Sequence, residues 1–303
     1  MFRPTDALSL VPGLPQGGPP RAAEVDGFFA ADSMVRRLHG ERLVLFSGMR
    51  ALLMQACDPL AVVGFERHSI IFEDPGLRLL RTDERMSRIY FGSREEAERT
   101  GRIVRAMHGR VRGRTPERYG PIAKGTPYDA SDPRLGLWVL ATLADSALVY
   151  YERIFGALRD EERERYWREY RRVGEVLGLP PDSMPATLGE LRAYLDGRLR
   201  DGSLWISEDR REQAVRMVLD PPFTGWQRAA AIPVTETVRL VSTGLLPAGI
   251  RELFGFSWDP AREALLRSAL LQLRIGARLW PDPVRRHPAA RTAAGERYGA
   301  LTG

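Results

Sequence analysis

Between Asp132 and Tyr151 the alternation of polar and apolar positions that marks a surface helix disappears. Asp132 can cap free backbone N–H groups, and Pro133 fits the first helical position, where a missing N–H costs nothing. From Leu135 onward apolar residues then fall on every side of the helical period, with Asp145 as the single acid among them. A helix apolar all round is buried all round, so this pattern predicts a helix through the middle of the protein. Asp145 shares a face with Trp138, Thr142, Val149 and Glu152. A carboxylate placed there must be paired, hydrogen-bonded or protonated. It either holds an arginine or another helix's first N–H groups, or it serves acid–base chemistry.

Helical spacing recurs on both sides of this segment. An apolar helix from Leu43 to Ala56 ends at Asp58-Pro59, which makes Asp58 a terminus residue. Ser93 and Glu96 form a capping box ahead of Ala97, Thr100, Val104, Met107 and Val111, and this helix is expected to run to about Gly113. Arg114 to Ala130, punctuated by Pro116, Gly120, Pro121, Gly125 and Pro127, is expected to be loop. Asp160 to Leu177 is amphipathic, with Trp167, Tyr170, Val173 and Leu177 on one side. Thr187 with Glu190, Ser207 with Glu208 and Asp209, Pro247 and Asp259-Pro260 open further helices, and Pro221-Pro222 stops one. Strand-like alternation is nearly absent; Ser69-Ile70-Ile71-Phe72 is either strand or loop. The expectation is an all-α fold, a single globular multi-helix domain over residues 24–285 with a buried central helix. A flexible Pro- and Gly-rich arm over 1–23 and a polar C-terminal tail over 286–303 flank it.

Composition narrows the function classes. With 303 residues, 44% of them hydrophobic, the chain can bury a large core. A formal charge of +6 suggests nucleic acid, but the cations are arginines interleaved with acids, as in Arg159-Asp160-Glu161-Glu162-Arg163, and Lys124 is the only lysine. No basic stripe with interleaved aromatics appears, so no nucleic-acid partner is expected. A lone cysteine, Cys57, excludes an internal disulfide and a cysteine-cluster metal site, and fits a cytoplasmic location. No uncharged apolar run reaches the ~18 residues of a membrane span. Signatures of P-loops, dinucleotide folds, zinc proteases and serine hydrolases are absent.

Of the four histidines, His39 and His287 are poorly placed for chemistry and His68 suits a turn or cap. His108 is better placed: at helical spacing Arg105, His108 and Arg112 form a basic row beside the Val104, Met107 and Val111 stripe. Imidazole can ligate a metal and guanidinium can hold carboxylate or phosphate, although a core-margin histidine between two solvated arginines gives the same pattern.

Several segments resemble one family. They are Leu52-Leu53-Met54-Gln55-Ala56-Cys57-Asp58-Pro59, His68-Ser69, Arg78-Leu79-Leu80-Arg81-Thr82, Met107-His108-Gly109-Arg110-Val111-Arg112-Gly113, Tyr128-Asp129-Ala130 and Asp132-Pro133 through Leu143. Leu245-Leu246-Pro247, Arg251, Phe254-Gly255, Trp258 and the stretch from Pro281 to Arg291 add to them. In order and spacing they resemble the rubber oxygenases (latex-clearing proteins) and the oxygenase of mycophenolic acid biosynthesis, over roughly residues 40–290. The resemblance implies an all-α fold that holds haem b between helices and uses O2, in the rubber enzymes to cleave carbon–carbon double bonds. It also implies a histidine after Trp-Val as proximal iron ligand and a His-Pro after the Leu-Leu-Gln motif; here those positions are Leu140 and Asp58. Leucine has no lone pair to give iron.

The resemblance carries over Arg105 and His108 as pocket residues. His108 is then the first candidate for metal and axial ligation, followed by His68 and, distantly, the Cys57 thiolate, with Arg105 and Arg112 neutralising propionates or polarising an oxygen intermediate. The pocket is expected between the His108 helix and the Leu140 helix. Three functions stay open. One is an oxygenase acting on an apolar, isoprenoid or polyketide-like small molecule. The second is a haem-independent cyclase or isomerase using His108, Asp58 and Asp145 for proton transfer, with Leu140 widening the apolar wall. The third is a noncatalytic binding protein.

Overall fold

The computed structural model describes residues 27–68, 75–219 and 225–293. The helices in chain order are α1 (Met34–His39), α2 (Arg42–Leu45), α3 (Ser47–Gln55), α4 (Pro59–His68), α5 (Pro75–Phe91) and α6 (Arg94–His108). After the strands β1 (Arg112–Arg114) and β2 (Pro127–Asp129) come α7 (Pro133–Phe155), α8 (Asp160–Leu177), α9 (Leu188–Arg200) and α10 (Glu208–Leu219). The chain continues through α11 (Gly225–Gly244), α12 (Ala248–Phe254), α13 (Pro260–Leu279), α14 (Asp282–Arg285) and α15 (Pro288–Ala293). The protein is all-α, with one two-stranded sheet among the described residues. The 1–23 arm, Ser69 to Phe72 and Pro221-Pro222 lie outside the described residues.

The central helix is α7, as its apolar circumference predicts. Asp132 accepts the Arg134 N–H at 2.9 Å, Pro133 opens the helix, and the turns from Leu137 to Tyr151 are buried on nearly every side. Helices α1, α2, α3, α8, α9 and α13 all pack on it, α3 most extensively. Charge enters this interface at one place: Arg50 of α3, 3% exposed, reaches across to α7. It meets Asp145 Oδ2 at 2.8 Å, donates to Ser146 Oγ at 2.6 Å and donates to Leu245 O, just beyond α11, at 2.7 Å. Next along the same interface Gln55 Nε2 donates to Thr142 Oγ1 at 2.9 Å.

On another side α7 meets α8 closely. A Cβ at Gly174 would stand 2.7 Å from Leu140 Cδ2 and 2.5 Å from Met184 Sδ, so only glycine lets Leu140 pack down onto the α8 backbone. The opposite face of α7 carries Trp138, fully buried beneath the Arg198 guanidinium, whose carbon lies 4.8 Å from the ring centroid.

Four local expectations shift. The helix opened by the Ser93 capping box stops at His108, capped by Gly109, rather than near Gly113. Arg112 to Arg114 instead pair antiparallel with Pro127 to Asp129, closing the expected loop into a hairpin (Arg112 opposite Asp129). The turn at Tyr119–Ile122 supplies reciprocal backbone hydrogen bonds, so the Gly and Pro residues form the hairpin's end and do not prevent pairing. The Leu43–Ala56 helix is split into α2 and α3 at Phe46. At the C-terminus, residues 286–293, which the sequence assigns to the tail, are fastened to the body. Arg286 donates to Glu41 Oε1 at 2.9 Å, the His287 N–H donates to Gly40 O at 2.7 Å, and α15 packs on α5.

Two substitutions test this packing. Arg50→Met, which leaves Asp145 facing the apolar interface without its partner, is expected to lower unfolding free energy by about 3–5 kcal/mol. A fall in urea midpoint at unchanged slope would show it. Gly174→Ala forces Leu140 and Met184 aside and is expected to cost about 1–3 kcal/mol, read as a lower Tm; an unchanged Tm would mean that the close approach is not needed.

Candidate functional site

The candidate residues fall into two environments. Asp145 and Asp58 lie in packed interior networks. Asp145 is ion-paired with Arg50, as one of the two roles read from the sequence requires. Asp58 caps α4 through Oδ1, which accepts the N–H groups of Leu60 and Ala61, each at 3.0 Å. Its Oδ2 accepts Arg198 Nη2 at 2.8 Å, while Arg198 Nε donates to Ser203 Oγ at 2.9 Å. Both carboxylates thus face guanidinium, a partner that stays charged.

Arg105, His108 and Arg112 lie at the surface. Gly101 lets α6 approach α8, since a Cβ there would meet Val176 O. One turn on, Arg105 crosses Gly178, the residue that caps α8, and Nη1 donates to Val176 O. His108 follows at the end of α6, exposed, and its ring makes no hydrogen bond, ion pair or ring contact among the described residues. The protein around the ring still lowers its pKa below the ordinary histidine value, which favours neutral imidazole at neutral pH. Arg112 does not continue a helical row with Arg105 and His108, because the helix has ended; it lies on β1 and its Nε turns back to Gly109 O at 3.0 Å. Phe28, Arg94, Glu98, Arg102, Arg105 and Arg172 line an open hollow of about 390 Å³ between α6 and α8.

The expected pocket between the helices of His108 and Leu140 meets an obstacle at one level. Gly101 of α6 touches α8 at Val176, whereas Leu140 of α7 touches it at Gly174. Those two α8 positions point about 200° apart, so α8 runs between the two helices there. The structure brings neither Asp145 nor Asp58 into hydrogen-bond contact with His108. His68 closes α4, and its side chain lies outside the described residues.

Leu140 is the test for haem. The resemblance implies a nitrogen ligand at that position, whereas here a hydrocarbon side chain, 2% exposed, is pressed against Gly174. The residues at this position do not fit an axial ligand to iron. Cys57 does not substitute: its thiol is buried, lies 3.6 Å from Leu53 O, and burial pushes its pKa up to about 12, away from thiolate. No cluster of three His, Cys, Asp or Glu side chains suited to a metal ion occurs among the described residues.

Two groups carry more of the interior than the sequence suggests. Arg50 is one; a lone cation within the apolar Leu43–Ala56 run is the same anomaly as Asp145 in its own run, and the two anomalies are partners. The other is an aromatic cluster around His39, whose ring stacks on Tyr90 at 4.1 Å and whose Nε2 lies 3.0 Å from Tyr166 Oη. Burial lowers the His39 pKa to about 3, keeping it neutral. Tyr90 and Tyr170 hydroxyls meet at 3.0 Å, and His287 lies 3.1 Å from Asp83 Oδ2. The pairing of Tyr166 with Tyr170 one turn apart was the available signal.

Proteins described as uncharacterised from Mycobacterium bovis and from Mycobacterium tuberculosis are each 30% identical to the chain over 155 residues, 51% of this chain and 58% of theirs. The match therefore spans little more than half the length of these relatives. No solved structure matches the chain. The family model "ER-bound oxygenase mpaB/B'/Rubber oxygenase, catalytic domain" matches residues 36–275, from α1 into α13, and includes α6, α7 and both departures at Asp58 and Leu140. The chain belongs to this oxygenase catalytic-domain family.

Proposed function

We propose that this chain is an oxygenase-family enzyme acting on an apolar small molecule, of isoprenoid or polyketide-like character, and that it works without haem ligated from the central helix. The observation that carries this reading is Leu140, buried against Gly174 where the family's chemistry calls for a nitrogen donor. His108 is the group left to act. Among the described residues its ring has no partner, it is accessible, and its lowered pKa supports a neutral base at neutral pH. Arg105 lies one turn away and supplies positive charge beside it, although one of its N–H groups is already given to Val176. Asp145 and Asp58 are assigned to holding the fold, because each is locked to an arginine. Proton transfer at His108, as in a cyclase or isomerase, is then the chemistry that these side chains favour.

A second reading keeps haem and ligates it through His108, and it rests on the same exposed imidazole. The visible spectrum of the purified full chain separates the two. After growth with excess haem precursor, the expected result is no Soret band; a Soret band abolished by His108→Ala would establish the second reading, and one that survives that substitution would overturn both.

Turnover is the complementary measurement. Against a panel of apolar polyenes, His108→Ala is expected to lower turnover by about a hundredfold at unchanged Tm, the usual scale for one acid–base group. Turnover that does not change would remove His108 from the mechanism. Oxygen consumption that accompanies turnover would favour an oxygenase over a cyclase or isomerase.

A further inference from the structure

The outward face of α13 is apolar where a solvated helix should be polar. The inner side of this helix, Leu266, Ala269, Leu270 and Ala277, is buried with Val241 and Leu245. On the other side Leu265 is 59% exposed, Leu271 57%, Ile275 49% and Leu279 76%, and Trp280 follows at 39%. Positions 271, 275 and 279 form a single ridge at i, i+4 spacing, with Ala264 and Ser268 filling the same face toward the start of the helix. No helix among the described residues is long and apolar enough to cross a membrane, and α13 with its arginines is not an exception. A helix with a tethered inner face and an apolar outer ridge is instead suited to lying in a surface.

Charge decides what that surface is. Arg267, Arg274 and Arg278 run along one edge of the ridge, at spacings of seven and four residues that keep them on one helical face. Arg274 gives an N–H to the Arg153 carbonyl at 2.9 Å, and Arg267 lies 3.4 Å from Glu263 O; neither contact neutralises a cation. None of the three has an ion-pair partner among the described residues, and the one acid within α13, Glu263, accepts Trp258 Nε1 at 2.9 Å near the other end. A second copy of this chain docking through a two-fold axis would set three arginines and the single acid Glu263 against the same set, leaving positive charge in excess on both sides. Lipid phosphates and anionic headgroups supply the missing charge, acyl chains accept the leucines and isoleucine, and Trp280 at the end of the helix suits the boundary between them.

We propose that α13 is an interfacial helix that docks this protein on an anionic bilayer surface, with Leu271, Ile275 and Leu279 inserted and Arg267, Arg274 and Arg278 at headgroup level. The docking stands independently of any reading of the catalytic chemistry.

Flotation of the full chain with lipid vesicles tests it. The protein is expected to float with phosphatidylcholine vesicles containing about one phosphatidylserine in three, and to be released by raised salt. Leu271→Glu with Ile275→Glu, both at exposed positions and so compatible with an unchanged circular dichroism spectrum, should abolish flotation. Arg267→Gln with Arg278→Gln should weaken partitioning onto the anionic vesicles about thirtyfold. Three results would overturn the proposal: no flotation of the native chain, equal flotation on pure phosphatidylcholine, or a native dimer by light scattering that the double glutamate variant splits while no vesicle is bound.

Discussion

An arginine taken out of water must be met by acceptors at nearly every exposed N–H, and the position of Arg50 therefore constrains everything around it. Its three acceptors come from separate places in the chain: the Asp145 carboxylate and the Ser146 hydroxyl on α7, and the Leu245 carbonyl just past α11. The last of these is an orphan of a helix end, which has no partner within its own helix. Sliding α3 along α7 by one turn would strand all three bonds at once. A second core gathers around Tyr150, Val241 and Leu266, and there Tyr150 of α7 meets Ser242 Oγ of α11 at 2.7 Å. Apolar packing drives these helices together without choosing among nearby registers; the guanidinium and its acceptors supply the choice.

The extent to which the sequence announces this arrangement depends on how local the controlling physics is. Helix starts were legible because a cap and its target lie within a turn: Asp132, Ser93, Thr187 and Asp259 each accept the backbone N–H that their spacing predicts. The central position of α7 was legible for a related reason, since a helix without a polar face leaves no side for solvent. The end of α6 was not. Val111 continues the apolar period, but Gly109 caps the helix and the backbone of Arg112 to Arg114 finds partners across a hairpin that closes only at Pro127 to Asp129, a non-local preference that a helical window cannot register. Partner identity was the other blind spot. Asp145 visibly needed a partner, yet nothing in its own segment names Arg50, ninety-odd residues earlier.

The candidate site was legible chiefly as departures from the family's pattern, and the structure gives each departure a physical explanation. At Asp58 the carboxylate caps a helix and binds Arg198, a pairing open to an acid and closed to a neutral imidazole. At Leu140 the side chain fills a contact that Gly174 opens. Neither residue is a blank left by a lost ligand. Each is part of a matched set, and each set would have to change in two places for a histidine to return.

These two sets are also neighbours. Trp138 and Leu140 are two residues apart on α7 and so point in nearly opposite directions. Arg198, held by Asp58, closes over the Trp138 face, and α8 closes over the Leu140 face. At this level of the central helix both sides are therefore shut by protein, one by a cation over an indole and the other by leucine on glycine. A cofactor would have to open one of them. The cheaper of the two to open is the Leu140 side, because moving a hydrocarbon forfeits contact area, whereas moving Arg198 strands a charge together with the carboxylate it neutralises. Haem entry and the stability of the α7–α8 contact are thus competing demands on the same few side chains, and in this chain the packing of Leu140 on Gly174 favours the contact.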